Sequence, residues 1–180
     1  MSGGKAHGKN RQYQEACRNV LTFRNPKLAP WEGDGIDVPF ELPDTQWTFD
    51  IALHDDVGAL VVAECRRTTG PTKQEDLAAF AYKVELLRKS LGIAVAGIFI
   101  TKTRHQIGAI KVGQFSGIDL ALLDEGAEPP GFKITFLRYD QKREKSCRDI
   151  VLHVRPALIA IAGSDINLIF TKRSGEREVS

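Results

Sequence analysis

Residues 47–67, WTFDIALHDDVGALVVAECRR, constrain this chain more than any other stretch. Two apolar runs flank a short polar turn, and each run alternates with the period of two that marks sheet structure, so the segment predicts a β-hairpin. With the turn at Asp55–Ala59, His54 faces Leu60. Counting back sets Asp50 opposite Glu64 and Thr48 opposite Arg66. Opposed residues share a face, as do residues two apart, so Asp50, Glu64 and Arg66 are expected on one side. The other side collects Phe49, Ile51, Leu53, Val61, Ala63 and Cys65, and a slip of one residue would mix the two sets. Two carboxylates a few ångströms apart call for a cation, and a hard divalent ion with oxygen ligands is the natural one.

A charged trio on a hairpin face is also what a solvated cross-strand contact looks like. Against that reading, Glu64 interrupts ALVVAECRR, a run apolar enough for a central strand, and a carboxylate there needs a reason.

Upstream, residues 1–9 are rich in glycine and lysine and are expected to be disordered. From about Arg11 the apolar residues Tyr13, Ala16, Cys17, Val20 and Leu21 fall on one helical stripe, with Glu15 on the opposite side. Four prolines between residues 25 and 46 exclude one regular element, leaving a long loop around a short strand at 36–42. Downstream of the hairpin, Thr72 and Glu75 have capping-box spacing and open a helix that stops at Gly92. Its buried stripe is Leu77, Phe80, Ala81, Val84, Leu87 and Leu91. The continuous apolar run 93–101 predicts a strand covered on both faces, followed by a helix over 104–115 and a short strand over 118–123. Such an alternation implies right-handed crossovers and a mixed sheet between helical layers. Strands expected at 133–140, 149–154 and 166–171 extend its edge. Between the first two, Arg138, Lys142, Arg143, Lys145 and Arg148 form a basic segment that reads as a solvated turn or as phosphate contacts. Residues 10–171 are thus expected to form one domain, and 172–180 a charged tail.

A formal charge of +2 permits a nucleic-acid partner without demanding one, so where the charges sit must decide. Cys17, Cys65 and Cys147 have no CxxC spacing, which points away from a zinc site or disulfide framework and towards a reducing cytoplasm. His54 and His105 read as surface or core histidines, and Trp31 and Trp47 as core or loop anchors. No apolar run is long enough to span a bilayer, so no membrane partner is expected.

From Asp50 through Ala63-Glu64-Cys65-Arg66-Arg67 to the capped helix and the strands ending near Leu123, the chain resembles the PD-(D/E)XK nucleases, in their Mrr-like, restriction-endonuclease-like branch. The resemblance covers roughly the central 80 residues and rests on spacing, because the motif is short. It implies a three-layer α/β/α fold with an αβββαβ core and extra C-terminal strands. It implies a Mg²⁺-dependent phosphodiesterase, with Mn²⁺ as substitute, that hydrolyses DNA in restriction or repair; RNA is the second substrate class. Asp50, Glu64 and the Cys65 carbonyl would hold the metal. Arg66 stands where lysine is usual, and an arginine stays protonated and cannot help deprotonate water. Lys73 is the alternative cation, Gln74 a substrate contact, and Arg67 a phosphate contact beside the basic segment. A homodimer would suit cutting both strands. The alternative is a catalytically silent relative that acts in DNA binding or protein assembly.

Overall fold

The computed structural model describes residues 3–42, 45–127, 131–137 and 152–154, with side chains over 10–42 and 45–123. Helix α1 (Gly3–Arg24) is followed by strands β1 (Ala29–Pro30), β2 (Ile36–Leu42), β3 (Thr45–His54) and β4 (Leu60–Arg66). Helix α2 (Gln74–Leu91), strand β5 (Val95–Thr101), helix α3 (Ile107–Ser116) and strands β6 (Ile118–Ala127), β7 (Gly131–Leu137) and β8 (Leu152–Val154) complete the order. The basic segment around Arg138, Lys142, Arg143, Lys145 and Arg148, the strand expected at 166–171 and the tail 172–180 lie outside the described residues.

One mixed sheet runs β1-β3-β4-β5-β6-β7-β8, with β2 also paired to β3. The β4–β5 and β5–β6 pairs are parallel and the others antiparallel. The parallel centre exists because α2 and α3 provide crossovers between successive strands. Pro30 and Pro39 both lie on strands at the edge, where a missing N–H is tolerated.

Each face of the sheet has its own core. On one side Tyr13, Cys17, Val20 and Leu21 of α1 pack on Ile51, Leu53, Ala63, Ile98, Ile100 and Leu123. On the other, Leu77, Phe80, Val84 and Leu87 of α2 and Ala109 of α3 pack on Val62, Phe99, Ile118 and Leu120. Strand β5 sends Ile98 and Ile100 to the first core and Phe99 to the second, as its continuous apolar run requires.

Several expectations change. Leu91, expected in the buried stripe of α2, is exposed. Helix α1 begins at Gly3, upstream of Arg11, because extending a helix already anchored by a packed stripe adds a hydrogen bond for each residue fixed. Thr72 does not cap α2: the N-cap is Lys73, without a side-chain cap bond. The backbone of Thr72 is instead engaged by the segment after β5, through Thr72 N–H to Arg104 O at 3.2 Å and Gln106 N–H to Thr72 O at 3.1 Å. Phe49 leaves the face expected to hold Ile51 and Leu53 and packs with Phe40 and Phe80 in the second core. The pairs Ile36–Ile51 and Val38–Phe49 place Asp37 opposite Asp50, and Asp37 has a left-handed φ of 53°. That conformation bends the strand pair and breaks the simple alternation.

Candidate active site

The expected hairpin register is present from His54–Leu60 to Ile51–Ala63. The turn closes through Asp55 N–H to Ala59 O at 3.0 Å, while Asp55 Oδ1 accepts from the N–H groups of Val57 and Ala59. Beyond Ile51–Ala63 the two strands part. Strand β3 continues beside β2 to the Thr45–Leu42 pair, while β4 continues beside β5 to Arg66–Thr101. Thr48 consequently pairs with Pro39 and not with Arg66. Asp50 sits where the strands separate, and its Oδ2 accepts the Cys65 N–H at 2.6 Å.

The other oxygen of Asp50 is held by α1. Gln14 Nε2 donates to Asp50 Oδ1 at 3.0 Å and to Asp37 Oδ1 at 2.8 Å. Arg11 reaches Asp37 Oδ2 at 3.2 Å and also pairs with Asp34. Glu15 bonds Arg11 at 3.5 Å on the solvent side, in keeping with its expected outward position. Gln14 and Asp37 are site residues that pattern reading missed. A signal existed for the first: Gln14, Cys17 and Leu21 share one side of α1 by helical spacing, which makes Gln14 a polar member of a buried face.

Glu64 meets the opposite helical layer. It is only 8% exposed, and Arg66 Nη2 lies 2.8 Å from its Oε1. Burial raises the Glu64 carboxyl above its ordinary value, and the Asp50 charge raises it further; Arg66 and Lys83 act in the opposite sense. Asp76 adds to the rise, so Asp76 and Lys83, seven residues apart on α2, both exert their fields on Glu64. Lys83 is a second cation that sequence reasoning missed, and its signal is position: it lies three residues after buried Phe80. Burial likewise raises Asp50, with the Cys65 N–H and the Gln14 amide opposing, and with Asp37 adding to the rise. The Asp50 charge thus disfavours ionisation of a Glu64 that burial already penalises.

The donor set, two carboxylates, suits a hard divalent cation, which itself retains several waters. The N–H and C=O of one strand residue point to the same edge, so the Cys65 carbonyl opens to the side on which its N–H meets Asp50. The Cys65 thiol packs towards α1, and burial followed by its hydrogen bond with Cys17 pushes it well above the usual thiol range, so it stays protonated. Among the described residues, no group of three or more His, Cys, Asp or Glu side chains is poised to hold a metal by itself.

Arg66 is bound to Glu64 but half-exposed. Lys73 and Arg67 are exposed in the segment that follows β4. Gln74 lies against Gly108 of α3, so its amide is turned to that helix. His105 is a core histidine, buried beside Phe99 with its Nε2 3.4 Å from Ala121 O. His54 stacks edge-on against Trp31, and Trp47 against Tyr82, as anchors do.

No protein-family profile and no curated protein matches the chain. Solved structures do. A repair endonuclease from Pyrococcus abyssi matches at 23% identity and a TM-score of 0.46, over 61% of this chain and 46% of that one. An EndoMS-dsDNA2 complex matches at 22% and 0.43, over 59% and 42%, and EndoMS in apo form at 23% and 0.41, over 63% and 47%. The chain spans less than half the length of each. Its own order of helix α1, antiparallel strands β2–β4, helix α2 and parallel strand β5, with Asp50 and Glu64 where the hairpin parts, is the αβββαβ order that the resemblance of its motif implies.

Proposed function

We propose that the chain is a metal-dependent nuclease that hydrolyses phosphodiester bonds in DNA. One observation carries the reading: Asp50 and Glu64, fourteen residues apart in sequence, meet at the parting of β3 and β4, and both are pushed towards protonation. A protein that buries two acids this way gains by taking up a cation there, and Asp50, Glu64 and the Cys65 carbonyl would hold Mg²⁺ or Mn²⁺. When bound, such an ion acidifies a water and offsets charge on a phosphoryl oxygen. The chain's own part is to fix the carboxylates: the Cys65 N–H and Gln14 amide orient Asp50, and Arg66 orients Glu64. Being half-exposed, the Arg66 guanidinium also has access to a phosphate, which it matches bidentately.

The Arg66–Glu64 bond favours a second reading, a catalytically silent domain that binds DNA. An arginine that never loses its proton offsets one of the acids permanently. Purified protein incubated with plasmid and linear DNA in Mg²⁺ or Mn²⁺ separates the two. Cleavage that falls by about a hundredfold or more in Asp50→Ala and Glu64→Ala is expected, the loss of several kcal/mol of charge stabilisation. Identical behaviour of wild type and both variants ends the catalytic reading, and cleavage gained in Arg66→Lys identifies a weakened site.

A further inference from the structure

The chain has 25 basic and 23 acidic residues, so charge is nearly balanced overall. It is not balanced where β4 and β5 end. Residues 66–74, RRTTGPTKQ, and 101–107, TKTRHQI, together hold five lysines or arginines and no aspartate or glutamate. The two segments are stitched into one platform. Arg66 is the Cα partner of Thr101, and the Lys102 N–H donates to Arg66 O at 3.2 Å. Thr103 Oγ1 donates to Gly70 O at 2.5 Å, and Thr72 bonds both Arg104 and Gln106 through its backbone. Arg66, Arg67, Lys73, Lys102 and Arg104 are all exposed. Helices α2 and α3 start from this platform without side-chain caps, so their positive ends add to its field; Glu75 and Asp76 in the first turn of α2 are the acids that subtract from it.

The platform begins two residues after Glu64, so whatever it binds lies next to the acid pair. We infer that it is the nucleic-acid docking surface of the site, on which Lys102 and Arg104, with Arg67 and Lys73, contact the phosphates of a DNA duplex flanking the position presented to Asp50 and Glu64. This rests on the nucleic-acid reading above. It adds the segment after β5, which no motif marks, and makes Lys102 and Arg104 binding residues with no part in the chemistry. Cations carried on two joined segments match a repeating polyanion, and each contact releases counterions.

The test is binding of the full chain to a fluorescent DNA duplex in EDTA, across a series of KCl concentrations. Lys102→Gln, Arg104→Gln and the double variant are compared with wild type and with Lys89→Gln, an exposed lysine late in α2 that pairs with Glu85. Wild type should bind with a steep salt dependence, each single variant should flatten the slope of log K against log salt by about one, and the double by about two. At low salt the double variant should bind about tenfold or more weakly, while Lys89→Gln follows wild type. A double variant with the wild-type slope and affinity overturns the placement alone. A wild type that binds no duplex overturns the nucleic-acid reading itself, and this surface with it. Unchanged melting temperatures of the variants exclude unfolding as the cause.

Discussion

Both oxygens of Asp50 are occupied by donors from different parts of the chain, Cys65 on β4 and Gln14 on α1. The single nitrogen of Gln14 also holds Asp37, so one amide separates two carboxylates that would otherwise repel. Replacing it with a side chain of similar length and no donors should release Asp50 from its orientation. Gln14→Leu is accordingly expected to weaken Mn²⁺ binding, measured by calorimetry, by about 10- to 100-fold, the usual effect of losing a hydrogen-bond partner of a ligand. Affinity equal to wild type would show that Gln14 serves packing alone. Although the strands part after Ile51–Ala63 and the expected Asp50–Glu64 pair does not form, the nearness of the two acids is legible in the sequence, because the hairpin register brings Asp50 and Glu64 to adjoining positions. Gln14 and Asp37 are not, since their importance comes from a long-range meeting between α1 and the strand pair. Arg66 looks like a free cation in sequence, yet the same alternation that puts it on the face of Glu64 also lets the two side chains bond.

At the scale of elements, the hairpin shows what alternation does and does not settle. It fixes the register from His54–Leu60 to Ile51–Ala63, where both strands have apolar partners on both sides. It does not reveal that the strands part beyond that point, because the divergence follows from competition by β2 and β5 for the same edges. Phe49 lies in the other core because Asp37 bends the β2–β3 pair, and Thr72 does not cap α2 because a distant segment claims its backbone. The strand β5 was readable from its apolar run alone, although the run hides one tight contact. A Cβ on Gly97 would stand 2.6 Å from Ile118 Cδ1, 3.0 Å from Val84 Cγ2 and 3.3 Å from Phe80 Cε1. The absence of a side chain lets α2 lie close to the sheet and sets the layer that faces Glu64. Alanine can be accommodated by moving the flexible end of Ile118, but Gly97→Val adds two more methyls to a filled space. It should destabilise the fold by about 1–3 kcal/mol, read as a lower urea midpoint with an unchanged slope. A midpoint equal to wild type would mean that α2 is not seated so closely.

For the whole molecule, the site opposes the fold that builds it. Asp50 and Glu64 have raised proton affinities in the folded chain, so the folded state binds more protons than the unfolded chain between the ordinary carboxylate range and the raised one. Stability from these groups is therefore greatest at acid pH, declines as pH rises through that window, and stays diminished at neutral pH. His105 acts the other way: burial lowers its proton affinity, and stability falls as pH drops below the ordinary histidine value. Comparing wild type with Glu64→Gln at each pH cancels the histidine contribution and isolates the acid pair. In EDTA at pH 7, Glu64→Gln should melt about 2–4 °C higher than wild type, the shift that roughly 1 kcal/mol produces in a domain of this size. The half-exposed Arg66 loses a bond of small value and still finds a carbonyl acceptor in glutamine. As pH falls towards the ordinary carboxylate range, the difference should vanish, because protonation removes the same charge that the substitution does. Added Mn²⁺ should raise the melting temperature of wild type by mass action and leave the variant nearly unmoved. A variant that melts lower than wild type at neutral pH, or gains equally from Mn²⁺, would show that the two carboxylates neither strain the fold nor share an ion.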